Sequence, residues 1–392
     1  MSAGSLRVRS HSSARPLVVM GAFAMAGNTP LVAQPMVIGA LVDLRGLTES
    51  QAGVMASVEL AGLTLGILAM LPAVTRIRRP VLAVFAVAMI IAANVTTCCL
   101  SGFWPLLPIR FLSGVGSAAA FCVYMSLASA SERPENAFAV VNAISIAYSG
   151  VVNLVAPYLL SVAGLAGILG VLSAVTALAL VTLPWSGLVP AGGGPTAALA
   201  RSAGQPEPWL ALLAMMLLLY TGHGAIWGYQ ERIGVATGLS EQAIGRSVGL
   251  SMLVWGVAGS LLARALSLSI GRMWPQIVSL GVSCAATLVL VYVDTPWSFT
   301  VACALIAFSW FYGLPYQMGL LAARDPKGRA ALAGIMMSTG GMALGPALAA
   351  FLISGSAHQR IGVFSCACYL GALAIAIPAT RSLNRKTQVL PA

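Results

Sequence analysis

Residues 80–100, PVLAVFAVAMIIAANVTTCCL, run for 21 positions without one acidic or basic side chain. A helix of that length rises about 30 Å, the thickness of a bilayer's hydrocarbon core. Similar runs lie at 17–42, 50–71, 104–128, 137–160, 165–184, 208–230, 241–262, 274–293, 297–321, 330–354 and 360–380. In hydrocarbon every backbone N–H and C=O must be paired within the protein, which leaves helices or a closed barrel. These runs are too long and too continuously apolar for barrel strands. The sequence therefore predicts an all-α membrane protein of twelve spans. Composition agrees: at 59% hydrophobic and 8% charged, 392 residues carry too little polar surface for a soluble fold.

Arg7, Arg9 and Arg15 precede an apolar run containing AFA, which is also how a cleaved signal peptide looks. The run continues well past that point, so it is read as the first span. With the N-terminus inside, sixteen of the twenty-one Lys and Arg residues fall in cytoplasmic segments. Arg45, Arg232, Arg246 and Arg360 fall outside, and Arg110 lies within a span. This is the positive-inside pattern, and an even number of spans places both termini in the cytoplasm. The net charge of +11 is thus a signal of topology and not of nucleic-acid binding. The seven cysteines all fall inside the runs, without the partners of a metal site, and are expected to be buried small hydrophobes. No metal or cofactor is expected.

GLTESQAG at 46–53 returns as GLSEQAIG at 238–245, 192 positions later. Each opens a span after an external loop, where Thr48 or Ser240 can cap free N–H groups and the following Glu suits the helix dipole. At the same offset Thr29 matches Thr221, Tyr124 matches Tyr316 and Pro134 matches Pro326. Four echoes in one register predict two homologous six-helix bundles, 1–184 and 208–392. The Gly- and Pro-rich connector 185–207 joins them.

RFLSGVGSA at 110–118 places an Arg before closely spaced glycines, and GMALGP at 341–346 has the form GxxxGP. With the six-plus-six layout, these motifs resemble the major facilitator superfamily over the whole chain. That resemblance implies secondary transport, a central cavity lined by spans 1, 4, 7 and 10, and a hinge at Gly341, Gly345 and Pro346. Two features depart from the family. Its antiporter subgroups carry GxxxGP in span 5, where this chain has VNLVAP at 152–157. The loop PAVTRIRRP keeps Arg76, Arg78 and Arg79 but lacks the family's Asp and Gly, so the arginines either gate or simply set topology.

Transporters bind substrate near the midplane, often at matched helix breaks. Here GNTP at 27–30 interrupts span 1 and TGHG at 221–224 interrupts span 7. Asn28, Thr29, Thr221 and Gly222 are therefore expected at the site, with Pro30 as a further hinge; plain packing kinks are the alternative. The aromatic run FSWFYGLPYQ adds Trp310, Tyr316 and Gln317, and span 7 adds Trp227, Tyr229 and Gln230. Aromatic faces with a few polar tips suit an amphipathic organic molecule.

Ionisable residues within spans are costly and suggest function. Glu59, Arg110 and His223 are the candidates for coupling to protons, against structural roles as a brace, a helix fork and a packing histidine. Glu231 and Arg232 form either a solvated interfacial pair or a gate. A solute attracted by Arg110, His223 and Arg232 would carry a carboxylate, whereas Glu59 and Glu231 would attract a cation. The expected protein is a monomeric proton-linked transporter of a small organic solute in the cell membrane, a bacterial inner membrane. Its partners are that solute, protons and the lipid bilayer. The chain has no GxxxxGK[ST], HExxH or GxSxG, which argues against an ATP-driven pump and against an enzyme. A membrane-embedded enzyme and a non-transporting sensor on the same fold are the rival readings.

Overall fold

The computed structural model describes residues 15–70, 77–131, 134–188, 210–266, 273–324, 329–353 and 358–388. Among them every regular element is helical, and eleven helices are long and apolar enough to cross a membrane. The chain is a multi-pass, all-helical membrane protein. The connector from 189 to 207, Arg76, Arg133 and Pro326 lie outside the described residues.

The first run folds as three consecutive helices, α1 (Arg15–Gly27), α2 (Thr29–Val32) and α3 (Gln34–Arg45), each shorter than a span. Proline chemistry accounts for both breaks. Pro30 cannot donate to the carbonyl of Ala26, and the Thr29 hydroxyl donates to it instead at 2.8 Å. Pro35 cannot donate to the carbonyl of Leu31, which receives the Trp227 indole N–H at 3.0 Å. Asn153 and Ser149 donate to the carbonyl of Val32 at 2.7 and 3.0 Å. The freed carbonyls are taken by side chains of other helices, as hydrocarbon demands.

Then follow α4 (Glu49–Met70), α5 (Arg79–Cys99), α6 (Phe103–Ser129), α7 (Pro134–Ala163) and α8 (Leu165–Thr182). Beyond the connector come α9 (Leu210–Ala236), α10 (Glu241–Leu250), α11 (Val257–Leu266), α12 (Met273–Tyr292), α13 (Pro296–Arg324), α14 (Arg329–Leu352) and α15 (Gln359–Gln388). A π-helical turn, Ser251–Gly256, joins α10 to α11.

The repeated octets fold alike. Gly46 and Gly238 adopt left-handed backbone, φ 65° and 77°, which favours glycine. The Thr48 hydroxyl accepts from the Gln51 N–H at 3.1 Å, and that of Ser240 from the Ala243 N–H at 3.3 Å. Helix pairing repeats as well. The contacts α4–α6, α5–α6, α5–α8, α1–α8 and α1–α7 recur as α11–α13, α12–α13, α12–α15, α9–α15 and α9–α14.

The break expected at TGHG is absent: α9 is continuous through Thr221–Gly224. No proline interrupts its hydrogen bonds, and its glycines serve packing. A Cβ on Gly224 would sit 2.8 Å from the Met342 carbonyl oxygen of α14, and one on Gly222 would sit 2.9 Å from the Tyr369 ring. The expected hinge glycines answer from α14, itself unbroken around Pro346. A Cβ on Gly341 would meet the Leu217 carbonyl oxygen at 2.6 Å, and one on Gly345 that of Thr221 at 2.5 Å. Gly224→Leu is expected to lower stability by about 1–3 kcal/mol through overpacking. The measurement is the thermal unfolding midpoint of the detergent-purified protein; an unchanged midpoint would show that α9 and α14 separate without cost.

A second seam joins α7 to α10 through Gly150, Gly245 and Gly249. A Cβ on Gly249 would lie 2.8 Å from the Gly150 carbonyl oxygen, and one on Gly245 would run into Pro157. Gly245 and Gly249 are a GxxxG pair, spacing that lets membrane helices approach backbone to backbone. The expected burial of all cysteines holds for Cys122, Cys303, Cys366 and Cys368; Cys98 and Cys284 are half-buried, and Cys99, at the C-terminal end of α5, is exposed.

Candidate functional site

Two arrangements stand at opposite ends of the same helices. One is a cavity of about 380 Å³. Its walls include Phe121 and Tyr124 from α6, Phe138 and Asn142 from α7, Tyr220 and Trp227 from α9, and Trp310 and Phe311 from α13. Asn28 of the first helix break and Ser338 of α14 also face it. Tyr124 and Met318 lie toward the C-terminal ends of α6 and α13, and Phe138 and Ile335 toward the N-terminal ends of α7 and α14. Those four ends are the ones that the Lys and Arg distribution assigns to the cytoplasm.

The other arrangement is an ion-pair cluster at the far end of α3 and α9, with Glu231 and Arg232 buried and Asp43 exposed. The Arg232 guanidinium donates to both oxygens of Asp43, at 2.9 and 2.6 Å, and to both of Glu231, at 2.6 and 2.7 Å. Glu231 and Arg232 are buried, so the solvated interfacial pair is not what forms. Gly39 leaves the room for the Glu231 carboxylate, since a Cβ there would collide with it. Close by, His358 meets Glu49 at 3.0 Å, and the Tyr229 hydroxyl donates to the Glu49 carbonyl at 3.1 Å. Such fork-shaped bonds to carboxylates are the strong, geometrically specific kind.

Glu59 and Arg110 meet within the first six helices. Arg110 Nε donates to Glu59 Oε2 at 3.1 Å, and Nη2 donates to Oε1. Ser113 donates to Oε1 at 2.8 Å, while Arg110 Nη1 donates to Asn94 at 3.0 Å. All of these groups belong to α4, α5 and α6 and are buried. They stand apart from the large cavity, beside a separate void of about 20 Å³ that Gln34 and Thr29 also line. That space suits a single water molecule.

His223 sits beneath the cavity floor. Its Nδ1–H donates to the Leu219 carbonyl at 3.1 Å, and its ring meets those of Trp310 and Tyr369 at 5.0 Å. Of the ten residues expected to touch substrate, Asn28, Trp227 and Trp310 line the large cavity. Thr29 bonds to an α1 carbonyl across the first break, Thr221 bonds to a carbonyl of its own helix, and Gly222 packs on Tyr369. Tyr229 holds Glu49, and Gln230 donates to Cys303 at 2.8 Å. Tyr316 donates to the Ala263 carbonyl at 3.2 Å, and Gln317 accepts from Tyr220 at 3.4 Å. Sequence reading passed over Asp43, Asn94, Tyr220 and the α7 face that carries Asn142, Ser145 and Ser149. Tyr220 and Trp227, seven residues apart on one face of α9, were the legible signal.

No family model matches the sequence, and no curated protein matches it. Two solved structures of a bacterial homologue of the human lysosomal transporter Spinster share the fold. Its inward-facing, unoccupied conformation matches with a TM-score of 0.69 at 14% identity, covering 95% of this chain and 98% of that one. Its inward-facing, occupied conformation matches with a TM-score of 0.70 at 14% identity, covering 94% and 97%. The chain thus shares its fold with that protein over nearly its whole length.

Proposed function

We propose that the chain is a secondary transporter of a small amphipathic organic solute, standing here with its cavity open to the cytoplasm. One observation carries the reading: a cavity reaches one end of the helices while the ion pair from the buried Arg232 to Asp43 ties the other end together. Arg232 and Tyr229 of α9 reach Asp43 and Glu49, some 180 or more residues earlier in the chain. The recurring helix pairs support two six-helix bundles, with the first run as the twelfth span and both termini in the cytoplasm. Rocking of the bundles would break the Asp43–Arg232–Glu231 gate, open the outer end and close the cavity.

Proton coupling is assigned to the Glu59–Arg110 pair, because ionisable groups buried within membrane spans mark function by default. The likeness to an inward-facing transporter supports the orientation. A monomer in a bacterial inner membrane fits this reading.

Single cysteines in a background lacking the native seven test it. In intact cells an impermeant thiol reagent should label Thr295→Cys, in the connector between α12 and α13, and leave Asn142→Cys in the cavity untouched. Inside-out vesicles should reverse the pattern. Labelling of Asn142→Cys from outside the cell would overturn the orientation and the inward-open state together.

A further inference from the structure

The polar groups that face the large cavity define the kind of molecule it can hold. Among the described residues, no acidic or basic side chain lines it. The buried charges are matched elsewhere, Glu59 to Arg110, and Glu231 to Arg232, which also holds the exposed Asp43. A charged ligand in this apolar chamber would lose its hydration without gaining a counterion. Arg110, His223 and Arg232, which suggested a carboxylate from the sequence, do not belong to the lining.

The uncharged polar groups are biased as well. The hydroxyls of Ser145, Ser149, Ser338 and Thr339 donate to backbone carbonyls at 3.0, 3.0, 2.7 and 3.1 Å. The Asn28 amide N–H donates to the Ala24 carbonyl at 2.9 Å, and the Trp227 indole to Leu31. These protons are committed inward, so the four hydroxyls offer oxygen lone pairs to the cavity, while the Asn142 amide and the Tyr124 hydroxyl supply its free donors. Around them stand the flat faces of Phe121, Phe138 and Trp310, in a volume that holds a drug-sized molecule.

Resting on the reading of this cavity as the substrate site, we propose that it takes an electrically neutral, ring-containing molecule that donates one or two O–H or N–H hydrogen bonds. The site therefore selects against carboxylates and ammonium ions of the same shape. A hydroxyl on the ligand can donate to those oxygens, whereas an ether or ester of the same skeleton has no proton to give them.

Four naphthalenes of one shape separate the possibilities, titrated calorimetrically into the full-length protein in detergent at pH 7. They are 2-naphthol, 2-methoxynaphthalene, 2-naphthoate and 2-naphthylmethylammonium. The expected order places 2-naphthol first, its methyl ether about tenfold weaker for the lost hydrogen bond, and both ions weaker still. Ser338→Ala combined with Thr339→Val should narrow the gap between naphthol and ether, because both hydroxyls lie on the cavity wall and bond only within α14. Naphthoate or the ammonium binding as tightly as naphthol would overturn the preference for neutral ligands. An ether as tight as the naphthol would overturn the donor preference. Binding of none of the four, or binding unaffected by Trp310→Ala, would instead remove the cavity as the substrate site and the proposal with it.

Discussion

Glu59→Gln is expected to abolish accumulation driven by a pH gradient in proteoliposomes, to less than about a tenth of the parent level, while leaving solute binding in place. The solute is found first by screening for molecules whose addition collapses an imposed pH gradient. Glutamine keeps the shape of the side chain and an acceptor for Ser113, but it cannot take up or release a proton. The same change leaves Arg110 charged in a buried site with only Asn94 as a side-chain partner beyond the new amide. Breaking a buried pair this way costs about 3–5 kcal/mol, so folding will suffer too. Glu59→Gln combined with Arg110→Met separates the two effects. Removing both charges should restore most of the thermal stability and none of the accumulation. Accumulation at the parent level by the double variant would show that the pair only braces α4 against α6.

Arg232→Met should open the end of the molecule that the ion pairs close. Glu231 would be left buried without its partner, and Asp43 would lose the link to α9. The closed arrangement then loses stability that the open one never had, and a shift of about 1.4 kcal/mol changes the ratio of states tenfold. The reporter is Ile38→Cys, buried beneath the cluster, where the side chain lies against Gly228. An impermeant reagent outside the cell should label it about ten times faster when Arg232 is absent. Asn142→Cys in the cavity should slow in the same variant when probed from the cytoplasmic side. Equal rates at Ile38→Cys with and without Arg232 would mean that the ion pairs are structural and that another contact closes this end.

The solvent and the chain's local chemistry made much of this protein legible in advance. A bilayer demands about twenty apolar residues per crossing and pairs the backbone within helices, so the runs could be read one at a time. The helix starts at Thr48 and Ser240 were legible for the same reason, because a cap involves residues three positions apart. The breaks around Pro30 and Pro35 follow from an N–H that proline lacks, although only the first was recognised. Gly222 and Gly224 misled, since glycine loosens an isolated helix but permits close contact when another helix lies against it. Which of these operates depends on Met342 and Tyr369, more than a hundred residues away in the sequence. The same limit hid the functional groups. Asp43 is an ordinary acidic residue at the end of a span until folding brings Arg232 to it across 189 positions. Glu59 and Arg110 each stood out as charges in hydrocarbon, but that Asn94 and Ser113 complete their bonding was decided by how α4, α5 and α6 pack. The sequence by itself determined the class of fold, the number of apolar runs and the repeat, because these arise from solvation and from neighbours along the chain. Only the tertiary structure decided which charges are paired and that the cavity is lined by uncharged groups, because each of these depends on groups that meet only when distant helices pack together.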